Sequence, residues 1–297
     1  MDFTGAAAIF VTLLVLFFGL CVGSFLNVVI YRLPREGLSV AQPRRSFCPA
    51  CLNLITWQDN IPVISWLRLK GRCRHCRQPI SLRYPLIEIL AAFLSLFIFQ
   101  AEGLTFRYFF YFYFSMCLTA IAFIDLELMI IPNVLIWPTE ILGLLIAAVT
   151  PHPPLAGLHL WHFLADHGFS ERFISVAGAL AAYAVGYLAL WLVAFLYKAI
   201  KGHRGLGEGD PPLLGLICIY LGLPSILPVL LMSSVLALLT VGCLVFTGRF
   251  ERQNLGVKAI PFGPFLALAA LIFLFAGQDF LSWYFSLFPQ SNPILVY

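Results

Sequence analysis

Apolar residues fill this chain in long unbroken runs, and the polar positions collect between them. Eight runs stand out, at roughly 7–31, 86–101, 106–124, 134–150, 173–197, 211–222, 224–247 and 260–278. A helix buried on one side shows an apolar stripe; runs that are apolar all round belong in hydrocarbon. The sixth run is too short to cross a bilayer upright, which leaves it tilted, partly inserted or continuous with the seventh. Composition points the same way. Of 297 residues 61% are apolar and 11% charged, where soluble domains carry about a quarter charged. The expectation is an all-α integral membrane protein of about eight transmembrane helices with one small polar loop domain.

The first run reads as a retained membrane helix. Its leading Met1-Asp2 is acidic, and Gly23-Ser24-Phe25-Leu26-Asn27 offers no small-x-small cleavage pattern. The organisation expected is a first transmembrane helix at 1–31, a loop domain at 32–84 and a membrane helix bundle at 85–297.

Lys and Arg set the orientation. With the N-terminus outside, the inner loops 32–84, 198–210 and 248–258 carry 10, 3 and 3 of the 18, leaving only Arg107 and Arg172 outside. The positive-inside rule then places the loop domain on the cytoplasmic side. The net charge of +4 comes mostly from that loop. It is accounted for by topology and by anionic lipid headgroups, without nucleic acid.

The loop domain is too small for a large core of its own. Within it lie Cys48-Pro49-Ala50-Cys51 and Cys73-Arg74-His75-Cys76, with 21 residues between the two pairs. Two CxxC knuckles supply four thiolates at the spacing of a structural zinc site. An iron–sulfur cluster also takes four thiolates, and disulfides fit poorly with a reducing cytoplasm. Cys21, Cys117, Cys218 and Cys243 each lie inside an apolar run and read as small buried residues. An outer loop at 151–172 holds His152, His159, His162, Asp166 and His167 beside several prolines. It reads as an interfacial loop rather than a metal site.

Asp125 and Asp210 flank apolar runs on the same inner side. A carboxylate beside hydrocarbon is costly and marks a functional position. Two at one depth form a candidate acid/base pair, since ionising one opposes ionisation of the other. Asp210 closes the glycine-rich Gly205-Leu206-Gly207-Glu208-Gly209, which lets backbone approach a substrate and disfavours helix there. Pro211 and Pro212 suit the first turn of a helix starting at that point. Glu127, Glu208, Glu88 and Glu140 read as structural or solvated groups. Pro261-Phe262-Gly263-Pro264 opens the last run as either a helix start or a bend lining the site. On the residues alone, a proton-coupled transporter using Asp125 and Asp210 and a scaffold docking through the cysteine loop remain alternatives to an aspartyl peptidase.

Taken in order, the motifs resemble the type IV prepilin leader peptidase family. They are Gly23-Ser24-Phe25-Leu26-Asn27-Val28-Val29-Ile30-Tyr31-Arg32-Leu33-Pro34; the cysteine loop with Asp59-Asn60-Ile61-Pro62 and Ser65-Trp66-Leu67; Ser81-Leu82-Arg83-Tyr84-Pro85; the Asp125 segment; Gly207-Glu208-Gly209-Asp210; and Ile260-Pro261-Phe262-Gly263-Pro264-Phe265. The resemblance implies a multi-pass protein of the bacterial inner membrane with its active site facing the cytoplasm. It implies removal of the basic leader from prepilins and pseudopilins, serving type IV pili and type II secretion, with Asp125 and Asp210 catalytic. It also implies methylation of the new N-terminus with S-adenosylmethionine as donor. Two positions depart from the family: Pro212 stands where many members have Lys, and Asn133 where many have Asp.

Overall fold

A computed structural model of the chain describes residues 5–43, 45–150, 166–203, 205–247 and 260–287. Among these residues the architecture is helical, with two isolated β-bridges and no strand. The helices are α1 (Gly5–Arg32), α2 (Ile64–Arg68), α3 (Arg83–Glu102), α4 (Phe106–Leu128), α5 (Asn133–Val149), α6 (Glu171–Lys201), α7 (Asp210–Leu221), α8 (Ile226–Phe246) and α9 (Gly263–Ser286).

Every one of the eight apolar runs forms helix, but six are long and apolar enough to cross a membrane. Those six are α1, α3, α4, α6, α8 with its leading turn, and α9. Twenty helical residues cover about 30 Å, the thickness of the hydrocarbon core. The 17 residues of α5 and the 12 of α7 fall short of that length. The run at 211–222 is separate from the next one. Gly222 takes φ 76°, and a 3-10 turn over Leu223–Ser225 intervenes before α8. Leu213, Leu214, Leu216, Ile217 and Cys218 of α7 are all fully buried. Protein therefore covers this helix over most of its surface, so its short length has no hydrophobic cost to meet in lipid. The histidines at 152, 159 and 162 lie outside the described residues.

Cα packing separates two compact units, with the boundary inside α4 between Met116 and Cys117. In the first unit α1 packs along α3 through small residues. A Cβ on Gly19 would stand 2.6 Å from the Ala92 Cα, and one on Gly23 2.7 Å from the Glu88 Cα. Close backbone approach of this kind is how helices associate where lipid offers no hydrophobic drive. The Ser95 hydroxyl donates to the Val15 carbonyl at 2.9 Å and lies 2.7 Å from the Tyr108 hydroxyl. Outward-facing Phe10, Leu13, Phe17, Phe93 and Phe97 stay exposed, as side chains that face acyl chains do.

In the second unit α6 opens on Ser170, whose hydroxyl accepts from the Phe173 N–H at 3.3 Å. It closes on Gly202 in the left-handed region, φ 75°. α7 is held by small-residue contacts on two sides. A Cβ on Gly186 of α6 would stand 2.6 Å from the Cys218 sulfur, and one on Gly143 of α5 2.5 Å from Ile219. The Tyr220 hydroxyl donates to the Thr139 carbonyl at 2.9 Å. α9 packs on both α7 and α8.

Gly19→Val forces α1 and α3 apart. The expected loss is about 1–3 kcal/mol, the usual range for overpacking. A lowered unfolding midpoint in detergent checks it, with an unchanged midpoint as the contrary result.

Candidate active site and metal centre

Asp125 lies in the last turn of α4. That helix stops when Met129 takes φ 56°, its N–H reaching back to the Asp125 carbonyl at 2.9 Å. A left-handed residue ends a helix by redirecting the chain, and a proline soon after prevents its resumption. Pro132 is that proline; its extended backbone feeds Asn133 into α5. Asp210 is the first residue of α7, with Pro211 and Pro212 in the opening turn as their fixed φ favours. Both aspartates are buried, at 5% and 3% exposure.

Asp125 lies within electrostatic reach of Asp210, and Ile131 touches the glycines beside both. Each carboxylate is met by a backbone N–H. Gly207 donates to the Asp210 Oδ2 at 3.0 Å, and the Gly263 N–H reaches the Asp125 carboxylate. Glycine is required for this geometry. A Cβ on Gly263 would fall 2.6 Å from the Asp125 Oδ2. One on Gly209 would fall 2.6 Å from the Ile131 Cβ, and Ile131 also lines Gly263 at 3.1 Å. Ile131 thus wedges between the α7 and α9 openings and sets their spacing beside the acids. The Pro261-Phe262-Gly263-Pro264 segment is both helix start and site wall. Glu127 and Glu208 are exposed. Sequence reasoning missed Ile131, because an isoleucine in an apolar stretch carries no chemical mark.

In the first unit the four cysteines converge. The sulfurs of Cys48, Cys51, Cys73 and Cys76 all lie within 4.8 Å of one another, and none is in a disulfide. Tetrahedral zinc with bonds of about 2.3 Å spaces its sulfurs about 3.8 Å apart; Cys48 and Cys76 stand at 3.8 Å. The residues therefore fit a four-thiolate metal with no coordination position left over.

The two knuckles, alike in their CxxC spacing, are alike in backbone as well. The Cys48 N–H bonds to the Asn53 carbonyl and the Cys73 N–H to the Gln78 carbonyl, each at 2.9 Å. Leu52 and Arg77 occupy the same place in the two turns, with φ 58° and 62°. The bridges Phe47–Leu54 and Arg72–Pro79 close them. The Cys76 N–H, with that of His75, draws the Cys73 thiol down to about 7.

Asp59 clasps the second knuckle to the segment between the pairs. Arg74 binds it with two nitrogens, both at 2.6 Å, and Arg68 adds a contact at 2.8 Å. The Arg74 hydrogen bonds, helped by Arg68, hold the Asp59 carboxyl at about 2. Arg32, at the end of α1, is buried. It donates to the carbonyls of Ser39, Val40, Pro43 and Arg45, folding the entry strand of the loop around its guanidinium.

The chain is thus a bundle of apolar helices carrying two buried carboxylates, together with a four-cysteine module. Residues 17–101 match the bacterial peptidase A24 N-terminal domain and residues 112–242 the type IV leader peptidase family. The chain is 37% identical to a prepilin leader peptidase/N-methyltransferase of Aeromonas hydrophila over 93% of its length and 94% of the relative's. It is 36% identical to proteins of the same name from Aeromonas salmonicida (92% and 93% covered) and Pseudomonas putida (92% of each). No solved structure matches. The chain belongs to the type IV leader peptidase family.

The Asp59 clasp predicts its own acid sensitivity. A carboxyl held low in the folded state stabilises it above the ordinary carboxylate range, and the contribution fades as pH falls through about 2. Asp59→Asn should therefore lower the melting midpoint of the metal-loaded protein at pH 5 to 7. The difference from wild type should shrink as pH drops below about 4. A gap that persists unchanged at the lowest pH contradicts the assignment.

Proposed function

We propose that this chain removes the leader from type IV prepilins and pilin-like secretion proteins, and then N-methylates the exposed terminus. The observation that carries the peptidase assignment is the pair of buried carboxylates. They lie 85 positions apart in sequence, fall within electrostatic reach of one another and each receive a backbone N–H. The relatives that bear both activities in their name cover nearly the whole chain, which supports extending both to it.

In this reading Asp125 and Asp210 work as a pair, one ionised and one protonated. The ionised carboxylate takes a proton from water as its oxygen attacks the scissile carbonyl carbon. The protonated one gives its proton to the carbonyl oxygen. The tetrahedral centre then collapses, the C–N bond breaks and the departing amine takes up a proton. Gly207 and Gly263 each hold one carboxylate in place through a backbone N–H. The glycines also admit an extended peptide backbone close to the acids. A proton-coupled transporter would use the same carboxylates, but it gives no role to the cysteine module and departs from the family.

Zinc is the metal proposed for Cys48, Cys51, Cys73 and Cys76, in a structural role, because the four thiolates saturate it. S-adenosylmethionine supplies an electrophilic methyl group when bound. The charge count supports an inner-membrane location with the carboxylates toward the cytoplasm. Membrane lipids flank the exposed faces, and the apolar segment of the substrate is the part that enters between helices.

Asp125→Asn and Asp210→Asn should each lower prepilin cleavage by at least about 10²-fold, the lower end for loss of an acid or base. Membrane insertion and metal content should persist. Mass spectrometry of a prepilin in liposomes reads it, and substantial cleavage by either variant refutes the pair. Gly263→Ala, which pushes a methyl group into the Asp125 carboxylate, should cut the rate steeply while the protein still folds. Elemental analysis should find one zinc per chain, lost in Cys48→Ser; stoichiometric iron would replace the zinc assignment.

A further inference from the structure

The first unit contains a second acidic site that the cleavage chemistry does not use. Glu88 lies in the second turn of α3 and is 7% exposed. Its Oε2 accepts the Val63 N–H at 2.7 Å, and the Ser24 hydroxyl also bonds to the carboxylate. Val63 takes φ 60°, an unfavourable conformation for a β-branched residue, and it directs its N–H at the acid. One helix away, Asn27 is 3% exposed. Its Nδ2 donates to the carbonyls of Gly23 and Tyr84, at 3.2 and 3.1 Å. Its Oδ1 has no hydrogen-bond partner.

A buried amide oxygen left unsatisfied costs about 1–3 kcal/mol, so its retention calls for a donor that arrives from elsewhere. Gly23 holds the two helices together at this level, since its missing side chain leaves room for the Glu88 Cα. The constellation thus holds two acceptors, a carboxylate and an unpartnered amide oxygen, beside the Tyr84 carbonyl that the Asn27 Nδ2 already occupies. Its place is also set by topology. α1 ends at Arg32 and α3 begins at Arg83, so Ser24, Asn27 and Glu88 all lie at the module-bearing ends of their helices. Val63 belongs to the module itself. Cys21 of α1 is a further titratable side chain within reach of Glu88.

We propose that Glu88 and Asn27 bind a primary α-ammonium, and that this is where an amine is held for methylation. The inference rests on the methyltransferase reading above. An ammonium brings positive charge and three N–H donors, which match the carboxylate and the open Oδ1. It also gives the carboxylate a chemical task. An ammonium has no lone pair and cannot attack a methyl group. Glu88 takes one of its protons, and the nitrogen lone pair so released forms the N–C bond with the methyl carbon of a sulfonium donor. The C–S bond breaks as that bond forms, its electron pair stays on sulfur, and a neutral thioether leaves. Two α-ammonium groups are available for this chemistry, the new terminus of the cleaved substrate and the amino-acid end of the methyl donor. The substrate terminus is the one whose proton must be lost.

Full-length protein in nanodiscs tests this with two probes, cleaved pilin bearing a free α-amine and the same pilin acetylated, with S-adenosylhomocysteine binding measured in parallel. Wild type should prefer the free amine by at least about 10-fold, one charge-assisted contact's worth. In Glu88→Gln, which keeps an acceptor for the Val63 N–H, that preference should vanish. Methyl transfer should fall by about 10² or more, while leader cleavage and metal content report an intact fold. If the Gln variant does not fold, Glu88→Asp takes its place and should retain part of the preference. Loss of S-adenosylhomocysteine affinity in the variant, with the pilin preference intact, assigns the bound ammonium to the donor. Undiminished methylation and undiminished preference in the variant overturn the site. A wild type that cleaves but transfers no methyl group defeats the methyltransferase reading instead, and the amine-binding comparison still judges the site.

Discussion

A carboxylate beside hydrocarbon needs hydrogen-bond donors, and the membrane supplies none. That requirement shapes the peptidase unit. The donors come from backbone, at the points where helices begin: Gly207 just ahead of α7 and Gly263 at the start of α9. Gly263 opens α9, where the first N–H groups have no partner inside the helix, and Gly207 donates from the glycine loop that leads into α7. To bring them to the carboxylates the chain must pass very close, and only glycine leaves the space. The short length of α7 follows from the same demand. A helix that starts at a buried carboxylate and stays inside the bundle has no reason to reach the far interface.

Hydropathy and charge made much of this legible. A run of twenty apolar residues has one stable form in a bilayer, a helix, because each backbone polar group must find its partner within the segment. Proline and glycine positions marked the start of α7 correctly, since a fixed φ at the first turn acts through local geometry. The cysteine pairs were equally readable, because tetrahedral coordination restricts the spacing of its ligands. What escaped was whatever depends on three dimensions. Nothing local marks Ile131 as the wedge between two glycines. The number of crossings escaped as well. Hydropathy counted eight apolar runs, and six have the length to span; burial within protein and burial within lipid leave the same apolar mark on a sequence.

The cysteine module shows how few apolar residues a small fold needs when other constraints are present. Trp57, Ile64 and Leu67 are exposed, so burial contributes little there. The four thiolates, the Asp59 clasp on Arg74 and the carbonyl ring around Arg32 supply the order instead. Each fixes backbone that would otherwise be free, and conformational entropy is the main opposing term. The contact between Glu88 and Val63 then ties the module to α3.

Among the described residues the first unit buries one carboxylate, Glu88, and the second buries two, Asp125 and Asp210, a difference that follows the chemistry proposed for each. Hydrolysis of an amide needs a proton removed from water and another delivered to the carbonyl oxygen, so one carboxyl cannot serve alone. Methylation of an amine needs a proton removed and none delivered, because the sulfonium leaves as a neutral thioether. A pair in the second unit and a single carboxylate in the first are what these two requirements demand. The neighbours differ in the same sense. Asp125 and Asp210 each receive a backbone N–H, which suits groups that must alternate between acid and base. Glu88 packs against α1, where the Asn27 amide oxygen has no hydrogen-bond partner. On the proposed assignments, a bifunctional chain built this way does not need one site to perform both reactions, because each set of acids has the proton inventory that its own bond change requires.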